Sequence, residues 1–92
     1  MPDELTVGRT DVDNLLGKPY KCILFNDEHH SMDEVVSQLM KATGCSPQRA
    51  TAIMIEAHTA GRAICAEGHR ERCEYVSAVL EEIQLGTKVE PA

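Results

Sequence analysis

From Tyr20 to Phe25 the chain reads Tyr-Lys-Cys-Ile-Leu-Phe, a short apolar run of strand-forming residues that stops at Asn26-Asp27, a turn signal. This predicts a strand buried on at least one face. Ser31 followed three residues later by Glu34 is a capping box, and Asp33 and Glu34 complement the positive end of a helix. Apolar residues then recur at Met32, Val35, Val36, Leu39 and Met40, the spacing of an amphipathic helix, with Gly44 as its stop. Ser46-Pro47 opens a second helix whose stripe is Ala50, Ile53, Met54 and Ala57 and whose stop is Gly61. Residues 63–66 read as a second short strand and Gly68 as a turn. A third helix is expected from about 69 to 83, with Cys73, Val76, Leu80 and Ile83 on one face. Residues 86–90 suit a last edge strand, halted by Pro91. Residues 1–18 lack periodicity and read as a flexible tail before a core domain at 19–92. The order β-α-α-β-α-β implies an α+β fold: one small domain, with a three-stranded antiparallel sheet and three helices packed on one face.

Composition narrows the function. A chain of 92 residues with 42% apolar content can fold as a single domain. One Phe, two Tyr and no Trp leave little for stacking bases, and a net charge of −6 repels phosphate backbones, so nucleic acid is excluded as a partner. No apolar run approaches the ~20 residues of a membrane helix. The N-terminal stretch carries acids early and no apolar core, so neither a secretory signal nor a membrane association is expected. Cys22, Cys45, Cys65 and Cys73 form no C-x-x-C pair and lie in or beside apolar patterns, as buried reduced thiols of a cytoplasmic protein do.

The chemistry concentrates in one turn. Asn26-Asp27-Glu28-His29-His30 places an amide, two carboxylates and two imidazoles beside an apolar helix face. All of them accept hydrogen bonds and none is a fixed cation, so the turn suits a small cation such as a metal or an ammonium group, or else is a solvated acidic turn capping a helix. His58 falls four residues after Met54 on the second helix's stripe, either as a partly buried, satisfied side chain or as a ligand. The His and Cys residues are scattered, with no H-E-x-x-H or C-x-x-C spacing, so no metal or other cofactor is expected. No nucleophile motif or phosphate loop is present, which argues against an enzyme. Met32, Met40 and Met54 suit a core or an adaptable pocket.

These residues carry a resemblance. The run from Tyr20 to Met40 resembles the ClpS adaptor family, whose hallmark is an apolar strand, then Asn-Asp-acid, two or three residues, Met and an amphipathic helix. Ala50, Thr51, Met54, His58, Gly61, Arg62 and Cys65 are similar to the family's second motif, and the likeness spans about residues 19–92. The resemblance implies a non-enzymatic adaptor of the bacterial cytosol. Such a protein binds N-degron proteins that begin with Leu, Phe, Tyr or Trp, and delivers them to a Clp AAA+ unfoldase of ClpA or ClpC type and its ClpP peptidase. By the same resemblance Asn26, Glu28 and His58 would hold the free α-amino group, and Asp27 would complete the turn. Met32 would stand as a gate over a side-chain pocket lined by Leu24, His30, Val35, Met54 and Ala57. Glu71 would face the unfoldase's N-domain, and the adaptor would act as a monomer.

The residue types suit that task. An α-amino group is an ammonium near neutral pH, with an unperturbed pKa of ~7.7–8.0, and desolvating it requires an acceptor for each N–H. An amide oxygen, a carboxylate and a neutral imidazole are such acceptors. This chain departs from the family's usual pattern at Glu28-His29-His30, at Ala57 and at Ala66. The alternative is a non-catalytic interaction domain, since the layout also resembles the C-terminal domain of the ribosomal stalk protein.

Overall fold

The computed structural model describes residues 17–92. Its elements follow the order β1 (Tyr20–Phe25), α1 (Met32–Thr43), α2 (Pro47–Ala60), β2 (Arg62–Gly68), α3 (Arg70–Glu81) and β3 (Thr87–Pro91). The expectation for residues 1–18 lies almost wholly outside the described residues.

The strands form one antiparallel sheet in the order β2-β1-β3, with β1 central. Alternation along β1 turns Tyr20, Cys22 and Leu24 into the core. Opposite them stand Ala63 and Cys65 of β2, with a register shift between Cys22 and Ile23. The shift accommodates Cys65 as the extra residue of a bulge, and its thiol reaches the Cys22 carbonyl at 3.4 Å. Helices α2 and α3 pack on the sheet, and α1 rests chiefly on both of them. Leu39, Ala50, Ile53, Cys73, Val76 and Leu80 fill the space between these layers.

The first two helices begin and end for local reasons. In α1 the capping box forms: the Ser31 N–H donates to Glu34 Oε1 at 2.8 Å, and the Glu34 N–H donates to Ser31 Oγ at 3.2 Å. Ser46 Oγ caps α2 by accepting from the Arg49 N–H at 3.1 Å. Gly61 ends α2 at φ +91°, a left-handed conformation that glycine adopts without Cβ strain.

The structure corrects three boundaries and the burial of one side chain. Strand β2 runs to Gly68 rather than stopping at residue 66 before a turn. Helix α3 ends at Glu81, so its buried stripe is Cys73, Val76, Val79 and Leu80, and Ile83 lies beyond it, half-buried. Pro91 belongs to β3 opposite Tyr20 instead of halting the strand, which an edge position allows because no partner needs its missing N–H. Met32 stands at the start of α1 outside the core and is 64% exposed.

Candidate functional site

The turn after β1 is built around one carboxylate. Asp27 Oδ2 accepts from the His29 N–H at 3.0 Å, the His30 N–H at 2.7 Å and His30 Nδ1 at 2.9 Å. Burial pushes the Asp27 carboxyl up, but the His30 ring and the two backbone N–H groups outweigh it and hold the pKa below the usual carboxylate range. The hydrogen bond that the His30 ring donates to Asp27 holds the imidazole above its ordinary pKa against desolvation, with the Asp27 and Glu34 charges and the Ile83 backbone acting in the same direction. Asp27 is therefore consumed in shaping the turn, and its side chain is largely covered.

The turn is moored at both of its sides. The Asn26 N–H donates to the Gly61 carbonyl at 3.0 Å, and the Phe25 N–H donates to the Gly86 carbonyl at 3.0 Å. The first bond brings the turn to the C-terminal end of α2, beside His58. The second brings it to the segment that follows α3. There Gln84 adopts φ +66°, and the chain swings Leu85 into the core at 2% exposure.

These moorings enclose a cavity of about 260 Å³, open on one side. Its apolar wall is Leu24, Val35, Met54, Ala57 and Leu85, with Phe25 from the end of β1 and Met32 beside it. Asn26, Asp27, Glu28, His30 and His58 supply its polar part. The ten residues that the resemblance assigns to the amine site and the side-chain pocket all line one cavity, whereas His29, Ala50 and Ile53 do not, and Glu71 lies elsewhere, exposed in the first turn of α3. Sequence reasoning missed Phe25 and Leu85. Phe25 carried a signal, as an aromatic residue at the mouth of the turn; Leu85 sits in an irregular segment and carried none.

The rim is chemically distinctive. The side chains of Asn26, Glu28 and His58 are bound by no hydrogen bond or ion pair among the described residues, and all three residues are exposed. The bland reading of His58 as a partly buried, satisfied histidine is therefore corrected: it is solvent-facing on the cavity's edge. An amide oxygen, a carboxylate and an imidazole nitrogen stand at the entrance to an apolar hole. The described residues contain no group of three or more His, Cys, Asp or Glu disposed to hold a metal ion. Among them, no helix is long and apolar enough to cross a membrane.

Comparison with known proteins bears on this geometry. A family model described as ATP-dependent Clp protease adaptor protein ClpS matches residues 17–88. An ATP-dependent Clp protease adapter protein ClpS of Gloeobacter violaceus is 37% identical over 73 residues, 78% of each chain. The Corynebacterium diphtheriae adapter of the same name is 31% identical over 74 residues, and this chain spans 80% of itself and 63% of that relative. Agrobacterium tumefaciens ClpS2, in a structure bound to L-phenylalaninamide, superposes with a TM-score of 0.76 at 23% identity, over 83% of this chain and 99% of that one.

Proposed function

The chain belongs to the ClpS family of ATP-dependent Clp protease adaptor proteins, an adaptor rather than a catalytic family, and on that footing we propose that it captures the first residue of N-degron proteins in the cavity after β1. The observation that carries this reading is the set of three acceptors, Asn26, Glu28 and His58, uncommitted among the described residues and placed on the rim of an apolar cavity.

A free α-ammonium has three N–H donors, and these three side chains offer one acceptor each. An internal peptide bond has no such group, so amine capture selects true chain ends. The apolar wall then reads the side chain: burying Leu or Phe contributes roughly 1.5–3 kcal/mol. Met32, exposed at the mouth, crowds a first residue branched at Cβ and so disfavours Val and Ile. Asp27 acts through the turn it shapes, and His30, Leu24, Val35, Met54 and Ala57 form the pocket. Delivery to a ClpA- or ClpC-type unfoldase and ClpP in the cytoplasm completes the reading, with Glu71 on the unfoldase-facing surface and the adaptor working as a monomer.

Fluorescence anisotropy with two peptides of one sequence beginning with Phe, one with a free N-terminus and one acetylated, tests it. Saturable binding of the free form alone is expected. Equal binding of both, or binding of neither, overturns amine capture.

A further inference from the structure

His30 is the group in the cavity wall whose chemistry the amine-capture reading does not use. It lines the cavity half-buried, with Nδ1 2.9 Å from Asp27 Oδ2. A ring whose Nδ1 is held 2.9 Å from a carboxylate is favoured as an imidazolium, because the opposite charge stabilises the protonated form. Nδ1 is held by Asp27, and the rest of the ring, over which the positive charge is delocalised, is what His30 brings to the cavity lining. The rest of the apolar wall is aliphatic or thioether (Leu24, Met32, Val35, Met54, Ala57 and Leu85) apart from Phe25 at the end of β1, an uncharged ring that the His30 variants leave in place.

We propose, resting on the amine-capture reading, that His30 is a specificity residue: its Asp27-anchored cationic ring favours an aromatic first side chain over an aliphatic one of the same size. The attraction is that of a cation for the negative face of a π-system. A saturated ring of similar size gains comparable apolar burial without it. Met54 and Met32 also favour aromatic rings through sulfur contacts, so removing His30 lowers the preference without abolishing it.

The charged and titratable groups around His30 are Asp27 and Glu28 of its own turn, Glu34 of α1 and His58 of α2, with the Ile83 backbone from the segment after α3. All of them act on the two peptides of the test below in the same way. A ratio of affinities therefore isolates the ring.

The test compares free-amine peptides identical except for a first residue of phenylalanine or cyclohexylalanine, with acetylated forms of each as controls. The full-length wild type is expected to prefer phenylalanine by roughly 3- to 30-fold, the span of such contacts from exposed to desolvated sites. His30→Thr and His30→Gln should each lower that ratio twofold or more; Gln retains a donor for Asp27 but no cationic ring. The wild-type ratio should also fall from pH 6 to pH 9, a measurement that needs no variant. A ratio that changes less than twofold in a folded variant and stays flat with pH overturns the proposal while amine capture stands, because a merely structural role for His30 would weaken both peptides equally. Binding that does not depend on the free amine overturns the underlying reading and this proposal with it.

Discussion

The backbone N–H of Asn26 donates to the carbonyl of Gly61 at 3.0 Å, so the turn that follows β1 hangs from the residue that ends α2. The two motifs, 35 residues apart in number, meet through this bond, and His58 sits one turn before it. Helix capping and site assembly thus share one glycine.

That sharing separates two similar glycines. Gly61 lies at φ +91° and Gly44 at φ +74°, both left-handed, and an added Cβ meets nothing within 4 Å at either. Gly61→Ala and Gly44→Ala should each lose about 1–2 kcal/mol of stability from backbone strain alone. Only Gly61→Ala should also weaken binding of a free-amine peptide, severalfold, because it disturbs the carbonyl that moors Asn26. Urea midpoints and anisotropy on both variants check this; equal binding losses would show that the bond to Asn26 does not transmit to the site.

Glu28 should supply the one carboxylate on the rim that is free to meet the ammonium, since Asp27 is spent on His29 and His30. Removing one partner of a desolvated, hydrogen-bonded charge pair costs about 2–5 kcal/mol. Glu28→Ala should therefore weaken the free-amine peptide by roughly 30-fold to several thousand-fold. The residue is exposed, so circular dichroism and the urea midpoint should barely move. A binding loss below about threefold, under 1 kcal/mol, would place the amine elsewhere.

What could be read from the chain and what could not divides along physical lines. The strand, the capping box and the two glycine stops are local events, and they lie where spacing places them. The gathering of Asn26, Glu28 and His58 followed from a resemblance between motifs; their distance from one another in sequence has no local signature. Periodicity assigned Met32 to the core stripe, yet the first residue of α1 projects past the layer that the later turns cover. It also extended α3 to Ile83, three residues past Leu80, because the left-handed Gln84 that breaks the pattern is not a glycine. Gln38 is buried between Val35 and Leu39, where a polar residue signals solvent. Its amide donates to the Val79 carbonyl at 2.7 Å, a partner 41 residues away that only the fold supplies.

The four thiols should differ sharply in reactivity. Cys22 and Cys73 have no exposed surface and Cys65 has 6%, whereas Cys45 is half-buried between α1 and α2. Hydrogen bonding to Cys22 and burial push the Cys65 thiol up, and burial does the same to Cys73, so little thiolate exists to react at either. Brief alkylation of the native protein, read by mass spectrometry, should mark Cys45 alone, and denaturant should release the other three. Early labelling of Cys65 would show that β2 opens from β1 at its bulge.

The Asp27–His30 pair should write a pH dependence into stability. The folded pKa of His30 is raised, first by its hydrogen bond to Asp27, above an unfolded value of ~6.5. Its contribution is then fully present below pH ~6.5 and is lost as pH rises through the folded pKa. The folded pKa of Asp27 is lowered: burial opposes this, but the bonds from the His30 ring, His30 N–H and His29 N–H prevail. Its contribution is present above an unfolded value of ~3.9 and is lost as pH falls through the folded one. Both are in force together between about pH 4 and 6.5. The stability advantage of the wild type over His30→Thr should therefore be greatest near pH 5.5 and should shrink by pH 9, as the difference in urea midpoint between the two proteins reports. Other titrating groups are common to both and cancel in that difference. Asp27→Asn removes the carboxylate that raises the imidazole, so it should erase the same alkaline loss and should also lose the acid limb. A midpoint difference between wild type and His30→Thr that stays constant from pH 5.5 to 9 would mean that the imidazole does not titrate in the folded turn. Asp27 would then accept from a neutral imidazole and the two backbone N–H groups, with no charge pair in the turn.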